Sequence, residues 1–301
     1  MAGMTGTTAP STTPGPSSGE RMRRAPVETG LGMAPERSSE RGARLRAPLH
    51  DGVRTGDGRV LTVLPALLAD SGIGYLVLST AKLVAGAPTL DLRLDLAGVP
   101  APGARWLTAE LTLLHLDDAI GVGRAEMRDD TGVLVAHAVV TMALSAVPDR
   151  PGGLAAPGGA ITPSGDRDSG SRGADFRSAL PPFDPSRLAP ESLDIDDVTG
   201  DVLFTPGPST MNLNGTTHGA VLSGLAQSAQ ASHLRRAGSG PVRPLSLTVD
   251  FLRPVQVDTP LRARSETVRD GRRFATVHTE LLLPNGKPAV RAVGGCLRGA
   301  H

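Results

Sequence analysis

The stretch NLNGTTHGAVLSGLAQSAQ, residues 212–230, holds an Asn, a His-Gly step six positions later, and then an apolar-periodic run. The run carries Gln227 where a carboxylate would serve a catalytic helix. Read on to Gly238, the segment is one helix. Arg235 and Arg236 fall in its last turn, favourable for cations, and Gly238 supplies a stop. The strings LSLTVDFLRPV, PLRARSETVRD, FATVHTELLLP and PAVRAVGGCL follow as four strand-like runs, with PNG marking the last hairpin.

The same order of signals stands upstream. LPALLADSGIGYLVLST, residues 64–80, is apolar on nearly every face, and Pro65 suits a first helical turn. TLDLRLDL (89–96) then alternates strictly, the period of a strand with one buried face. WLTAELTLLHL, IGVGRAEMRDD and VLVAHAVVTMAL complete a second set of four. Asp70 lines up with Gln227, Thr89 with Pro244, and the DTG turn with PNG, all at offsets of about 155 residues. An internal duplication accounts for this. A short strand is expected before each helix, VLFTPGP (202–208) in the second half and the region around Val53 in the first.

A helix of about 18 residues spans roughly 27 Å. One that is apolar all round is buried most economically by wrapping an antiparallel sheet about it. The expected fold is therefore α+β, two fused modules each built of a long central helix and its sheet. Residues 46–147 form the first module and 184–301 the second. Residues 1–45 and 148–183, rich in Pro, Gly, Ser, Thr and Arg, are expected to be a disordered tail and a flexible linker. The tail contains GPSSG, which matches a nucleophile elbow, but no strand precedes it and no helix follows.

Composition narrows the function. With 39% apolar residues but only 2% aromatic, the cores must be built from Leu, Val and Ala. A net charge of +1 gives no electrostatic reason to expect nucleic acid or an anionic membrane as partner. The lone cysteine, Cys296, cannot form an intrachain disulfide and fits a reducing compartment. No apolar run approaching a membrane span and no signal peptide are read, so a soluble cytoplasmic protein is expected. The histidines are scattered with no metal-ligand spacing, so neither a metal nor another cofactor is expected.

The Asn212 and His218-Gly219 spacing at the mouth of a helix, the four strands after it and the upstream repeat resemble the hotdog fold. More specifically they resemble the acyl-CoA thioesterases of the phenylacetate-pathway type, as two fused copies: a double hotdog. That family carries an Asn, a His-Gly-Gly and an acid nine residues past the His. Here Ala220 replaces the second Gly and Gln227 replaces the acid. The resemblance implies that the Asn and His-Gly loop of one module faces the acid on the helix of the other. The first half has no Asn or His-Gly but has Asp70 at the acid's place and Thr89 near it. The losses are complementary. One composite site would combine Asp70 and Thr89 with Asn212, His218 and Gly219. Its symmetry mate would hold Gln227, Pro244 and the Arg59 loop.

The expected reaction is hydrolysis of an acyl-CoA to a free acid and coenzyme A, the coenzyme being part of the substrate. A carboxylate interrupting an apolar helix needs a partner, and Asp70 is either a base or nucleophile or the partner of a backbone group or Arg. Gly219 at a helix start offers an unpaired amide as an oxyanion donor, or is a plain N-terminal turn. His218 either hydrogen-bonds the substrate carbonyl or caps its helix. Asn212 orients water or the base, or shapes a turn. Thr89 positions the water or Asp70, or is an ordinary strand residue. Arg269, Arg272 and Arg273 in the VRDGRR turn are candidates for the coenzyme A phosphates, or a solvated hairpin tip. A non-catalytic acyl-CoA-binding double hotdog is the alternative function. A hydratase of the same fold lacks its G-D-x-N-P-x-H-like loop here. Relatives often pair further, so a homo-oligomer is compatible with the resemblance.

Overall fold

The computed structural model describes residues 24–39, 41–83, 86–144 and 182–299. In chain order the first module contains α1 (Pro26–Gly30), β1 (Ala34–Ser38), β2 (Gly42–Pro48), α2 (Val63–Thr80), β3 (Thr89–Leu96), β4 (Trp106–Leu116), β5 (Ile120–Asp129) and β6 (Leu134–Ala143). The second contains β7 (Asp194–Ile195), β8 (Val202–Phe204), α3 (Gly219–Arg236), β9 (Val242–Phe251), β10 (Leu261–Asp270), β11 (Phe274–Leu282) and β12 (Pro288–Arg298).

The strands form one sheet in the order β1-β2-β4-β5-β6-β3-β9-β12-β11-β10-β8-β7. That order is the same from either end once the second module's strands are matched to the first's. The duplication expected from the sequence is thus a pseudo-two-fold arrangement whose axis passes between β3 and β9. These two strands pair antiparallel, with Leu92 opposite Val249 and Leu94 opposite Leu247. All four residues are fully buried, so the seam is an apolar core as well as a hydrogen-bonded ladder.

The sheet wraps the two long helices. In α2 both faces are buried, Leu67, Leu68 and Ile73 completely, because strands lie on one side and α3 on the other. Each such side chain contributes about 1.5–3 kcal/mol through removal from water. The strands approach closely where side chains are missing: a Cβ on Gly123 would lie 2.5 Å from Ile73, and one on Gly72 2.5 Å from Leu111. Among the described helices, α2 is the one long and apolar enough to cross a membrane, so an apolar run of spanning length does exist, and it is a core helix. The second long helix, α3, is different in kind. It buries Ser223, Gln227, Ser228 and Gln230 alongside its aliphatic residues.

The expected tail boundary at residue 45 falls inside β2. Residues 26–30, 34–38 and 42–45 instead supply α1, β1 and part of β2, and β2 pairs with β4 from Gly42↔Thr112 to Pro48↔Trp106. Polar composition misled here because these are edge elements: β1 exposes most of its residues, and only α1 and a few anchors such as Val27 and Leu45 reach the core. β2 also occupies the place predicted for a strand near Val53, which lies in a single 3-10 turn, Asp51–Val53. Of the expected linker, Phe183 is buried, and residues 148–181 lie outside the described residues. Residues 1–23 of the expected tail also lie outside them.

Candidate active site

Asp70 lies midway along α2 and is 6% exposed. Its neighbours come from two modules. Thr89 Oγ1, at the head of β3, donates to Asp70 Oδ1 at 2.6 Å. Across the interface, His218 Nδ1 lies 3.3 Å from Asp70 Oδ2. Gly219 opens α3 beside them, and a Cβ there would stand 2.7 Å from Oδ2 and 3.1 Å from the Phe251 ring. The glycine is therefore what lets the amino end of α3 come up to the carboxylate. Its N–H finds no acceptor among the described residues, and the helix end adds positive potential. Among the described residues neither an Arg nor a backbone donor pairs with Asp70; a hydroxyl and an imidazole do.

His218 is the N-cap of α3, its Nδ1 accepting from the Ala220 N–H at 3.1 Å. Its Nε2 is 2.9 Å from Ser71 Oγ and 3.9 Å from Glu28 Oε1. Glu28 comes from α1, the helix that the composition had assigned to the tail. Its Oε2 accepts from the Ala25 N–H at 2.8 Å and from Tyr75 OH at 2.5 Å. A buried line of groups thus runs Tyr75, Glu28, Ser71 and His218 to Asp70 and Thr89.

Electrostatics tie the line together. Burial alone would drive the His218 imidazole toward its neutral form, but Glu28 and Asp70 outweigh it and raise its proton affinity above the ordinary histidine value. Burial likewise opposes ionisation of Glu28, yet His218, Tyr75 and Ser71 hold its carboxyl below the usual range. Tyr75, buried against that carboxylate, is pushed well above the usual phenol range and stays protonated. The imidazole has two settings. When neutral, Nδ1 accepts from the Ala220 amide; when protonated, Nδ1–H faces Asp70.

Ser71 and Glu28 were not legible as site residues. Ser71 is adjacent to Asp70 but reads as an ordinary small helix residue, and Glu28 is separated from His218 by most of the chain. The cue available was local: Pro26 followed by Glu28 matches a helix start with an acid in its first turn.

Asn212 is not brought to the carboxylate. Its Oδ1 accepts from the Asn214 and Thr216 amides at 2.9 and 3.1 Å, and its Nδ2 donates to Thr216 Oγ1 at 2.9 Å. The whole side chain is consumed in shaping the loop that delivers His218. Asn214 donates across the interface to the Gly86 carbonyl at 3.3 Å. Arg269, Arg272 and Arg273 are exposed at the β10–β11 tip. His233, near the carboxyl end of α3, meets Thr267 of β10 just before that tip. The three arginines therefore sit at the opposite end of α3 from Gly219 and are not gathered at the Asp70 site. Among the described residues no three His, Cys, Asp or Glu side chains are placed to hold a metal ion.

The other end of the helix pair mirrors this arrangement with different chemistry. Thr62, the N-cap of α2, donates to Gln227 Oε1 of α3 at 3.1 Å, as His218 meets Asp70. The helices must run antiparallel for both contacts to form. Pro244 stands where Thr89 does and has no hydroxyl to offer. A cavity of about 300 Å³ opens there, lined by Gln227, Pro244 and Arg59 among others.

Comparison with known proteins agrees with this architecture. The acyl-CoA thioesterase C-terminal domain family matches residues 3–142, and the acyl-CoA thioesterase N-terminal domain family matches residues 207–296. The two modules thus stand in the reverse of the order those names carry. No curated protein matches the chain. Among solved structures, a candidate thioesterase from Novosphingobium aromaticivorans is similar with a TM-score of 0.59 at 14% identity, covering 89% of this chain and 99% of its own. A hot dog fold protein from Alicyclobacillus acidocaldarius gives 0.55 at 13%, covering 89% and 96%. An acyl-ACP thioesterase from Bacteroides thetaiotaomicron gives 0.53 at 13%, covering 86% and 100%. At such identities these structures speak for the fold alone. The two domain matches, one to each half of a pseudo-symmetric double hotdog, place the chain in the acyl-CoA thioesterase family.

Proposed function

We propose that this thioester hydrolase works at one composite site, with Asp70 and Thr89 from the first module and His218 and Gly219 from the second. The observation that carries the reading is the approach of His218 Nδ1 to Asp70 Oδ2, 3.3 Å across the module interface at an open helix amino end. An acyl-CoA thioester carbonyl placed against Gly219 meets an unpaired N–H, and negative charge developing on its oxygen is met by the helix end. Asp70, held by Thr89, takes a proton from a water that attacks the carbonyl carbon. The carbon–sulfur bond then breaks. The proton taken up by Asp70 passes to the departing coenzyme A thiolate, leaving free acid and thiol, while His218 Nδ1 steadies Asp70 Oδ2 from across the interface.

Asn212 serves this site through the loop it shapes. Ser71 and Glu28 hold the imidazole in place and tune its proton affinity. Both sides of the site come from one chain, so hydrolysis needs no second copy. The reading takes the protein to act in the cytoplasm. A single cysteine, which leaves no intrachain disulfide to form, fits that compartment; Cys296 is buried in β12, and burial pushes its thiol up to about 11.

The test is release of free thiol from a graded series of acyl-CoAs by the wild type and by Asp70→Asn. The variant is expected to keep its fold and lose nearly all turnover on the best substrate. Wild-type rates in a folded Asp70→Asn protein would remove Asp70 from the reaction.

A further inference from the structure

The cavity of about 300 Å³ does not belong to the Asp70 site. It lies at the pseudo-symmetric position, around Gln227, Pro244 and Arg59. Val60, Leu61, Leu96 and Val242 supply apolar wall. Its size falls at the lower end of the roughly 300–1,000 Å³ usual for small-molecule sites.

Two of its lining residues carry buried donors without an acceptor among the described residues, Gln227 Nε2 and Arg59 Nε. Gln227 is 5% exposed, and its amide oxygen is already taken by Thr62. A buried N–H left unpaired is unfavourable, and a small side-chain rotation that turned either one toward the cavity would call for the same complement there, an acceptor oxygen. The charges agree. Arg59, Arg235 and Arg243 all line the cavity. Asp57 pairs with Arg59 at 2.9 Å and Glu191 with Arg235 at 3.5 Å. Arg243 has a carbonyl partner, Ala97 O at 3.3 Å, and no carboxylate within 4.0 Å among the described residues. Burial lowers the proton affinity of Arg59, Asp57 opposes this, and Arg243 and Arg235 lower it further. An anionic head group would relieve that mutual repulsion.

We propose that this cavity is a second acyl-binding site, which takes an acyl chain between its apolar walls and the acceptor oxygen of the head group on Gln227 and Arg59, without hydrolysing it. Binding stands on the cavity alone; only the absence of hydrolysis rests on the assignment of Asp70. Gln227 cannot accept a proton from water as a carboxylate does, and Pro244 cannot orient one. A free carboxylate and an acyl-CoA share the required chemistry, an acyl chain with an acceptor oxygen and negative charge.

The experiment is calorimetric titration of the full chain with decanoate and, separately, with the ketone analogue of decanoyl-CoA in which a methylene separates sulfur from carbonyl. Wild type, Gln227→Leu, Arg59→Met and Asp70→Asn are compared, with thiol release from decanoyl-CoA measured on each. At least one ligand should bind the cavity, and Gln227→Leu and Arg59→Met should each weaken that event about tenfold or more. Turnover in Gln227→Leu should stay within about twofold of wild type, and Asp70→Asn should retain the event. Decanoate binding would make the free acid a sufficient ligand; binding of the analogue alone would make the coenzyme part of it. The proposal is overturned if neither ligand shows an event sensitive to both cavity variants, or if Gln227→Leu abolishes turnover and so joins the hydrolytic site. A failed assignment of Asp70 would show separately, as undiminished thiol release by Asp70→Asn.

Discussion

The two ends of the helix pair are built on one backbone plan and differ in what they can do with a proton. At one end an N-cap imidazole meets a mid-helix carboxylate, and a strand hydroxyl steadies the acid. At the other an N-cap threonine meets a mid-helix amide, and the strand offers a proline. Three substitutions between duplicated copies separate the place of His218, Asp70 and Thr89 from one held by Thr62, Gln227 and Pro244, none of which exchanges a proton. Duplication left the scaffold intact and the two ends with different side chains, and a cavity of about 300 Å³ lies at the Gln227 end.

The sharpest way to break this comparison is to remove the acid. Asp70→Asn should lower kcat about 10²–10⁴-fold, as expected for loss of a general base, whereas Gln227→Leu should change it by less than about twofold. Equal losses in thiol-release assays would mean that the two ends are not functionally distinct. Next in size is Gly219→Ala. The added methyl would fall 2.7 Å from Asp70 Oδ2, so either the carboxylate or the start of α3 must move. Together with displacement of the N–H donor, the loss in kcat should approach about 10²-fold. A rate within about threefold of wild type would show that the close approach is dispensable.

Glu28→Gln tests whether the buried line behind His218 is electrostatic. His218 has a raised proton affinity, so its stabilising contribution is complete below its ordinary value of 6.5 and fades as pH rises through its folded value. Glu28 has a lowered one, so its contribution is complete above its ordinary value of 4.5 and fades as pH falls through its folded value. The variant should therefore lose most stability, about 1–3 kcal/mol, between those two values, and the deficit should shrink on either side. Denaturant melts across pH, with titration of the His218 ring by NMR, would check both halves. A pH-independent deficit would point to packing alone. The matching change at the neutral end, Thr62→Val, should cost about 0.5–1.5 kcal/mol at every pH and leave kcat alone.

The smallest effect is expected at the seam, where Asp91 of β3 stands directly opposite Asp250 of β9. Burial raises the proton affinity of Asp91, Thr141 offsets part of this, and the facing acid adds to it. Such a pair is most comfortable when protonated, so its penalty grows as pH rises above the ordinary aspartate value of 3.8. Asp250→Asn should add about 0.2–1 kcal/mol at neutral pH and little in acid. The measurement is again a denaturant melt.

Much of this was legible in the chain itself. Strict alternation in TLDLRLDL located β3, and the apolar run 64–80 located α2 to within one residue, because side-chain periodicity directly reflects which faces are buried. The complementary loss of Asp70 and Gln227 was visible as a pattern. The elements α1, β1 and the start of β2 were not, because edge strands need few apolar residues and so resemble a tail in composition. The role of Asn212 was left open between the two, because an Asn that shapes a loop and an Asn that orients water are the same letter.

The duplication, the succession of helix and strands along the chain, and the placing of Asp70 and Gln227 on the two core helices follow from the sequence alone, since periodicity and offset are properties of a single line of residues. Which groups meet was decided by the antiparallel packing of α2 on α3. That packing, with α1 laid against it, brings Glu28, Asp70, Ser71 and His218 into one line and leaves Gln227 and Arg59 lining a cavity. The physical reason is distance: the partners lie tens to more than a hundred residues apart, and their proton affinities depend on which charges share a site from which water is excluded.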